Sequence, residues 1–407
     1  MTKKLFALLV ALMMTLALVN ATAESAVTLT VWNEPNEVEA LNMYKAAEKA
    51  LGIKVNVNVI PESEYSSKLN QMVATQDSSN DIYILWECDI RNFAQAQAIL
   101  PLDSYLASSA IDTSDMIDAV AQLAQGLGAT YGLPWCAATE ILYYNQDMFD
   151  AAGLSYPTNS WSYADFLAAA RKLTVKNADG TTAQYGCTLP NTQTWWAGVG
   201  MAGDEIYDPA TAQMVIGDGA VSFVKDCAAL VSEGVMPAPS SGSADLFSSG
   251  MAAMSWQGSW QIGTYGGNLA FNWDIAALPV NVRQYNTLHT GFYTINSKSA
   301  NTDAAWAVIQ YLMGQEGQTI NSKSSGNPSA LLKIAKEQAW KVESATTIDN
   351  WDAITTGLST GIFGYTCLPS GVTNNAVSLF EAALLGQITP EDAVHQAMDY
   401  AAETIGY

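Results

Sequence analysis

Two short stretches of the sequence place a tryptophan beside carboxylates. They read Trp32-Asn33-Glu34 and Trp86-Glu87-Cys88-Asp89. Each ends a predicted parallel strand, and parallel sheets bind ligands at the carboxyl ends of their strands. An indole ring suits the apolar C–H face of a pyranose, and carboxylates accept hydrogen bonds from hydroxyls. The same groups also suit a cation. The residues therefore predict a binding site for a sugar or for a cationic solute.

The elements that must position these two tips alternate between strand and helix. Hydrophobic alternation predicts strands over 27–32, 54–60 and 81–86, and helical periodicity predicts helices over 37–51 and 64–75. This order is typical of a parallel α/β lobe with right-handed connections. Such a lobe brings both tips to one edge of its sheet.

Tryptophans recur outside the two tips. Trp161, Trp306 and Trp340 lie in helical patterns and are assigned to packing, while Trp273 and Trp351 stay ambiguous. For each of the others, partial burial in the core with a satisfied N–H is the alternative. Those others lie at strand ends, at a predicted crossover or in Gly- and Asn-containing loops, and we predict that several face a ligand: Trp32, Trp86, Trp135, Trp195, Trp196, Trp256 and Trp260.

The first 23 residues have the features of a secretory signal. Lys3 and Lys4 precede an apolar run over 5–19, and small residues follow up to Ala23. An uncleaved anchor is the alternative, but the run is shorter than the roughly 20 residues that a bilayer helix needs. We expect cleavage after Ala23 and a mature protein outside the cytoplasm.

The mature chain is large and acidic. The full chain has 407 residues, of which 49% are hydrophobic and 14% charged, and two domains are expected at this length. Without residues 1–23, 15 basic and 39 acidic residues remain, a formal charge of −24. Such a charge repels nucleic acid and anionic membranes, so neither is an expected partner.

Cysteine and histidine usage argues against metal and redox chemistry. The chain has two histidines, His289 and His395, and no C-x-x-C pair. Neither a histidine-based zinc site nor a redox motif is predicted, and no cofactor is expected. Export permits one disulfide, but most of the five cysteines are expected to be buried thiols: Cys88, Cys136, Cys187, Cys227 and Cys367.

The segment Tyr131 to Leu154 contains a Gly-Pro turn followed by the strand-forming run Ile141 to Tyr144. The sequence GLPW…LYYNQDMFDAAGL…SWSYADFLAAARKLT resembles the crossover segment of extracellular solute-binding proteins of family 1. These maltose-binding-protein-like proteins are the sugar-binding subunits of ABC importers. LFSSGMAAMSWQGSW (246–260) and GFYTINSKSANTDAAWAVIQYLMGQEGQ (291–318) also resemble segments of this family.

The resemblance implies an α/β, two-lobed periplasmic-binding-protein type II fold with a hinge of three crossovers. We expect them near Cys136, Pro279 and Asn327. Lobe 1 would then contain 24–136 and 280–326, and lobe 2 would contain 137–279 and 327–407. The family's lipid-acceptor cysteine is absent after the apolar run. The resemblance further implies a monomeric, non-enzymatic protein that delivers a sugar to a membrane permease.

The resemblance also assigns polar site residues. Asp89 and Arg91 match an acid and a base after the third strand, although they could equally form a structural ion pair. Glu140 lies near the family's crossover acid with altered spacing. For Glu34, Glu87, Asp89 and Glu140 the alternative is a solvated position or a salt bridge at the hinge. With the tryptophans above, the predicted polar ligand-binding residues are Glu34, Glu87, Asp89, Arg91, Glu140 and Asn191.

Two other functions fit part of the pattern. A glycoside hydrolase needs two carboxylates near a sugar, but nothing beyond acidic residues supports it. A binding protein for a polyamine would also use indoles and carboxylates. A ferric site on Tyr143 and Tyr144 is discounted, because successive strand residues point to opposite faces.

Overall fold

The computed structural model describes residues 26–32, 37–87, 89–117, 120, 128–188, 190–208, 210–239 and 245–406. The predicted signal segment 1–23, Glu34 and Cys88 lie outside this part of the chain. In this part the strands are β1 (Ala26–Trp32), β2 (Lys54–Ile60), β3 (Ile82–Trp86), β4 (Leu133–Pro134), β5 (Ala138–Asn145), β6 (Val175–Lys176), β7 (Thr182–Gln184), β8 (Ile206–Asp208), β9 (Gln213–Val215), β10 (Met254–Gly258), β11 (Trp273–Ala276), β12 (Asn286–His289), β13 (Gly291–Ile295) and β14 (Gly361–Ile362).

The helices surround the sheets. They are α1 (Glu37–Leu51), α2 (Glu62–Ala74), α3 (Ile90–Gln95), α4 (Asp103–Leu106), α5 (Gln146–Ala152), α6 (Tyr163–Leu173), α7 (Thr192–Met201), α8 (Asp218–Ser232), α9 (Gln261–Tyr265), α10 (Thr302–Met313), α11 (Gln315–Ser325), α12 (Leu332–Ala335), α13 (Asp352–Thr360), α14 (Ser370–Leu384) and α15 (Pro390–Ile405), with 3-10 turns at Thr113–Asp115 and Tyr365–Cys367.

Two five-stranded sheets organise the chain. The first sheet has the order β2-β1-β3-β13-β4, with β1 parallel to β2 and β3 and with β13 antiparallel to its neighbours. The second sheet has the order β10-β5-β12-β14, and β11 pairs with the C-terminal half of β5, residues 142–145. The two-lobed α/β architecture is the predicted one.

Each sheet is buried on both faces because its strand residues alternate between two hydrophobic cores. In β3, Ile82 and Ile84 pack with one core, and Tyr83 and Leu85 pack with the other. The predicted inward face of β1 lies in the first of these cores. Central strands therefore read as nearly continuous apolar runs.

The central strand of the second sheet, β5, follows the same rule. Leu142 and Tyr144 face one core, and Ile141 and Tyr143 face the other. The two tyrosines point in opposite directions, as predicted.

The chain passes from the first sheet to the second between β4 and β5, and it returns between β12 and β13. A later segment, 326–331, lies beside these two connections. Three hydrogen bonds join the segments: Trp135 N–H to the Gly291 carbonyl at 2.8 Å, Thr290 Oγ1 to the Cys136 carbonyl at 2.7 Å, and Ala137 N–H to the Pro328 carbonyl at 2.9 Å.

Two predicted lobe boundaries differ from the structure. Strand β12 pairs with β5, so the chain stays in the second sheet until His289 rather than leaving it near Pro279. Leu331 and Ile334 pack into a core of the first sheet, so the segment after Asn327 does not pass directly to the second. Both errors arise because register and packing partners, unlike turn residues, are not encoded locally.

One loop assignment is also corrected. Trp195 and Trp196, which were expected to lie in a loop, belong to the first half of α7. Asn191 caps this helix, because its side chain accepts a hydrogen bond from Thr194 N–H and the Thr194 hydroxyl accepts one from Asn191 N–H. This reciprocal cap satisfies two backbone donors and starts the helix before the paired tryptophans.

Candidate functional site

Five polar side chains meet where the two sheets connect, and we call them the hinge cluster: Glu87, Glu140, Thr287, His289 and Tyr365. His289 is at the centre. Its Nδ1 lies 3.1 Å from Glu87 Oε1, and its Nε2 lies 3.1 Å from Glu140 Oε1. Thr287 Oγ1 is 3.3 Å from Nε2, and the Tyr365 hydroxyl is 3.4 Å from Nδ1.

Strand ends and one central strand bring the hinge cluster together. Glu87 directly follows β3 of the first sheet, and His289 ends β12 of the second. In the ladder His289 pairs with Ala138, two residues before Glu140 on β5. Residues two apart in a strand share a face, so the imidazole and the Glu140 carboxyl lie on the same side of the second sheet.

The backbone of Glu140 is fixed by a neighbouring side chain. Asn286 Oδ1 accepts from Glu140 N–H at 3.2 Å, and Asn286 Nδ2 donates to the Glu140 carbonyl at 2.8 Å. The Glu140 side chain is fully buried, with 0% exposure. Its carboxyl group therefore has little freedom to reorient.

The two carboxylates determine the charge of His289. Burial on its own lowers the pKa of an imidazole, but hydrogen bonds and charges from Glu140 and Glu87 outweigh burial and raise the pKa of His289 to about 9. Carboxylate oxygens only accept hydrogen bonds, so both ring nitrogens must donate to satisfy them. His289 is an imidazolium at neutral pH.

Trp260 lies against this cluster. Its ring meets the imidazole of His289 edge-on, with the ring centroids 5.4 Å apart and an interplanar angle of 89°. It is partly exposed and directly precedes α9. A Cβ at Gly258 would overlap three atoms of the Trp260 ring. Gly258 pairs with Glu140 in the ladder, so the indole lies on the strand next to the buried carboxyl.

Asp89 stands near the cluster on the side of the first sheet. Ser66 Oγ donates to its carboxyl at 3.2 Å. Burial, reinforced by the charge of Glu87 and opposed by the Ser66 hydrogen bond, raises the pKa of Asp89 to about 6. Arg91 is exposed and forms no ion pair with Asp89 in the described chain. The alternative of an Asp89–Arg91 ion pair is therefore not what the structure contains.

Trp86 and Asn191 hold intermediate positions. Trp86 is partly exposed at the end of β3, and its ring packs on Tyr65 at a centroid distance of 5.4 Å. Asn191, besides capping α7, donates to Gln257 Oε1 at 3.0 Å. The side chains of Trp32 and Glu34 lie outside the described part of the chain.

Four tryptophans predicted to face a ligand lie in hydrophobic cores instead. Trp195 and Trp196 have 0% exposure, and Trp135 and Trp256 have 6%. Trp256 stacks on Phe223 with an interplanar angle of 12°. An indole enclosed by protein on all sides cannot stack on a ligand, so these four are removed from the candidate site. The helical context of α7 and the interior position of Trp256 in β10 explain the error.

Sequence reasoning missed His289 and Tyr365. His289 was considered only as a metal ligand. Two features of the sequence could have indicated its role. His289 lies at the end of a strand, and the chain is so acidic that an isolated imidazole there is expected to contact carboxylates. Tyr365 belongs to a 3-10 turn, which has no periodic signature.

Other site types find no support in the described ranges. They contain no group of three or more His, Cys, Asp or Glu side chains arranged to hold a metal ion, and no helix long and apolar enough to cross a membrane. A cavity of about 320 Å³ lies at the distal end of the second sheet and is lined in part by Asp147, Phe271 and Thr347. None of the predicted site residues contributes to it.

Comparison with known proteins identifies the group to which this architecture belongs. An erythritol/L-threitol-binding protein of Mycolicibacterium smegmatis is 24% identical over 206 residues, which cover 47% of this chain and 40% of that protein. The aligned segment thus spans less than half of that relative.

Solved structures cover more of the chain. An ABC substrate-binding protein from Listeria monocytogenes in complex with cycloalternan has a TM-score of 0.84 and 24% identity, covering 94% of this chain and 100% of that one. A solute-binding protein from Thermotoga lettingae bound to α-D-tagatose has a TM-score of 0.81, 19% identity and the same coverage. These likenesses show the fold. The profile of bacterial extracellular solute-binding proteins matches residues 34–319, and the chain belongs to that family.

Proposed function

We propose that this protein captures a carbohydrate between its two lobes and delivers it to the permease of an ABC importer. The observation that carries the proposal is the partly exposed indole of Trp260, which covers Gly258 where that residue pairs with the buried Glu140. An aromatic face beside a fixed hydrogen-bond acceptor is the combination that a pyranose or polyol requires. The ligands named for the relatives, a tetritol, a ketohexose and a cyclic oligosaccharide, are all polyhydroxylated.

The proposed ligand-facing set comprises Trp260, Glu140, His289, Asp89 and Trp86. Trp260 supplies the stacking face, and the carboxylates accept from hydroxyls. His289 neutralises part of the negative charge, which suits a neutral ligand. Trp32 and Glu34 stay predictions for the same site.

A second candidate ligand is a cationic solute. The observation favouring it is Asp89, whose carboxyl has Ser66 but no cation within ion-pair distance in the described chain. A polyamine ammonium would supply both the charge and the donors. Neutral hydroxyls fit the hinge cluster better, because His289 already provides a cation there.

A thermal-stability screen separates the two. A ligand that binds only the folded state raises the melting temperature, by an amount set by its concentration relative to Kd. The panel contains erythritol, D-tagatose, maltose and cycloalternan as carbohydrates, with putrescine and spermidine as cations. Stabilisation by at least one carbohydrate and by neither amine is expected. Stabilisation by the amines alone would replace the proposal with the cationic one.

Transport without chemistry belongs to the same proposal. The family consists of solute-binding proteins, and the ligand should be released unchanged. Incubation with maltose or cycloalternan, followed by an assay for new reducing ends, checks this. Progressive formation of reducing ends would revive the glycoside hydrolase alternative.

Export is the last part of the proposal. The features of residues 1–23 support a soluble, lipid-free mature protein that begins at Glu24, and the family resemblance supports a monomer. Intact-mass analysis of soluble and membrane fractions tests it. A diacylglycerol adduct, or retention of Lys3 and Lys4, would contradict it.

A further inference from the structure

The contact between His289 and Glu140 involves only one of the two carboxylate oxygens. His289 Nε2 lies 3.1 Å from Glu140 Oε1, and neither carboxylate oxygen receives a well-aligned hydrogen bond from the described residues. Both oxygens are buried. A buried acceptor without a donor costs about 1–3 kcal/mol, and more when it is charged. A ligand hydroxyl that reached Oε2 would supply a donor and remove this cost.

The rest of the cluster prevents Glu140 from satisfying itself. Asn286 fixes its backbone on both sides of the peptide, and His289 holds Oε1. His289 in turn is held by Glu87 on its other nitrogen. Glu140 pairs with Gly258 in the ladder, and the Trp260 ring fills the space that a side chain at Gly258 would need.

The groups that face His289 come from every element around it. Glu87 follows β3, Glu140 lies on β5, Thr287 lies on β12, Trp260 precedes α9, and Tyr365 belongs to the 3-10 turn after β14. Asp89 and Cys367 form an outer layer, and the charge of Glu87 raises the pKa of each of them, though less than burial does. Among the described residues, His289 is the basic group that lies within ion-pair distance of both glutamates.

We propose that His289 and Glu140 are the specificity element of the site: the imidazole ring holds the Glu140 carboxyl in one orientation, so the ligand must donate a hydroxyl to Oε2 while stacking on Trp260. This inference rests on the proposed carbohydrate function. A ligand lacking a donor at that point leaves the buried oxygen unpaired. Sites of this kind reject analogues without the donor far more strongly than apolar pockets reject analogues of altered size.

Three variants test the pair: Glu140→Gln, His289→Gln and the double variant. Glu140→Gln preserves shape but removes the charge, and His289→Gln removes the cation that orients the acceptor. Each single variant should bind the stabilising carbohydrate of the panel (erythritol, D-tagatose, maltose or cycloalternan) at least tenfold more weakly by calorimetry. Because both changes break one interaction, the double variant should lose much less than the product of the two losses.

A matched control uses the second histidine. His395 is exposed on α15, so His395→Gln should bind like the wild type, and it also assigns the two histidine signals in an NMR titration. In the ligand-free wild type the His289 signal should titrate well above neutral pH, and in Glu140→Gln its midpoint should fall. Melting curves of every variant separate loss of binding from loss of folding.

The outcomes are distinguishable. Folded single variants that bind the carbohydrate as tightly as the wild type overturn the specificity inference and leave the proposed function intact. Independent losses that multiply in the double variant overturn the coupling of His289 to Glu140. If no carbohydrate stabilises the wild type and an amine does, the proposed function fails, and with it the assignment of a hydroxyl to Glu140 Oε2.

Discussion

The indole of Trp260 occupies the space that a side chain at Gly258 would need. Gly258→Ala should therefore displace the ring and weaken carbohydrate binding by about tenfold or more, equivalent to roughly 1.4 kcal/mol. Calorimetry with the stabilising sugar measures it. Gly371→Ala is the control, since a Cβ there meets no atom within 4 Å. Equal affinities of both variants would show that the position of the ring is irrelevant to binding.

Replacing Trp260 itself separates binding from stability. Trp260→Ala should weaken binding at least about tenfold, because a central aromatic anchor commonly contributes 2 kcal/mol or more. Its melting temperature should change little, since the side chain is partly exposed.

Two tryptophans serve as controls for Trp260. Trp195 has 0% exposure and Trp306 has 6%. Substitution of either by alanine should reduce the free energy of unfolding by about 3–5 kcal/mol. Melting curves and calorimetry on all three variants give the comparison. If Trp260→Ala binds normally but melts early, Trp260 is a core residue and the proposed site is misplaced.

The Asp89 carboxylate should lower the stability of the ligand-free protein at neutral pH and strengthen ligand binding. Burial raises its pKa to about 6, so the folded state holds its proton more tightly than the unfolded chain does. The cost of ionising it is absent below pH 4 and grows as pH rises from about 4 to 6. Asp89→Asn should raise the melting temperature at pH 7 and change it little at pH 4, while weakening ligand binding. Destabilisation at pH 7 would show that the carboxylate already has a sufficient partner.

The ligand-free protein should lose stability in mild alkali through His289. Its folded pKa of about 9 exceeds the ordinary value of 6.5. The stabilising contribution is complete below pH 6.5 and is lost as pH rises through 9. Denaturant titrations at pH 6 and pH 9 should show a fall in the wild type. The fall should be smaller in His289→Gln, and an identical fall in both would assign it to other groups.

Two buried thiols should resist alkylation. Cys187 and Cys227 are free cysteines in a core of the second sheet. Burial raises the pKa of Cys187 to about 12 and raises that of Cys227 as well. Iodoacetamide at pH 8, followed by peptide mapping, should leave both unlabelled in the folded protein and label both in denaturant. Rapid labelling without denaturant would place them in a part of the core that opens readily.

Local patterns predicted the scaffold better than the site. The bounds of α1 and the capping box of α6 at Ser162 and Asp165 follow from neighbours in sequence, and the structure contains both. The contacts of His289 do not, because Glu87 and Glu140 lie far away in the chain and meet it only through sheet register. Trp195 follows Asn191-Thr192-Gln193-Thr194 and Trp260 follows Gln257-Gly258-Ser259, so both come after short runs of polar or small residues. Trp195 is buried by the packing of α7, whereas Trp260 follows a strand end and is partly exposed.

The hydrogen bonds that join the segments around Trp135, Thr290 and Pro328 have a mechanical consequence. Strands bonded edge to edge cannot slide past one another without breaking those bonds, but a bonded ribbon can twist. We therefore expect relative motion of the two lobes to occur mainly as torsion about an axis along this ribbon. His289 lies at the edge of the ribbon, close to this axis. The hinge cluster should therefore move only a short distance, while the outer rim of each lobe moves a long one.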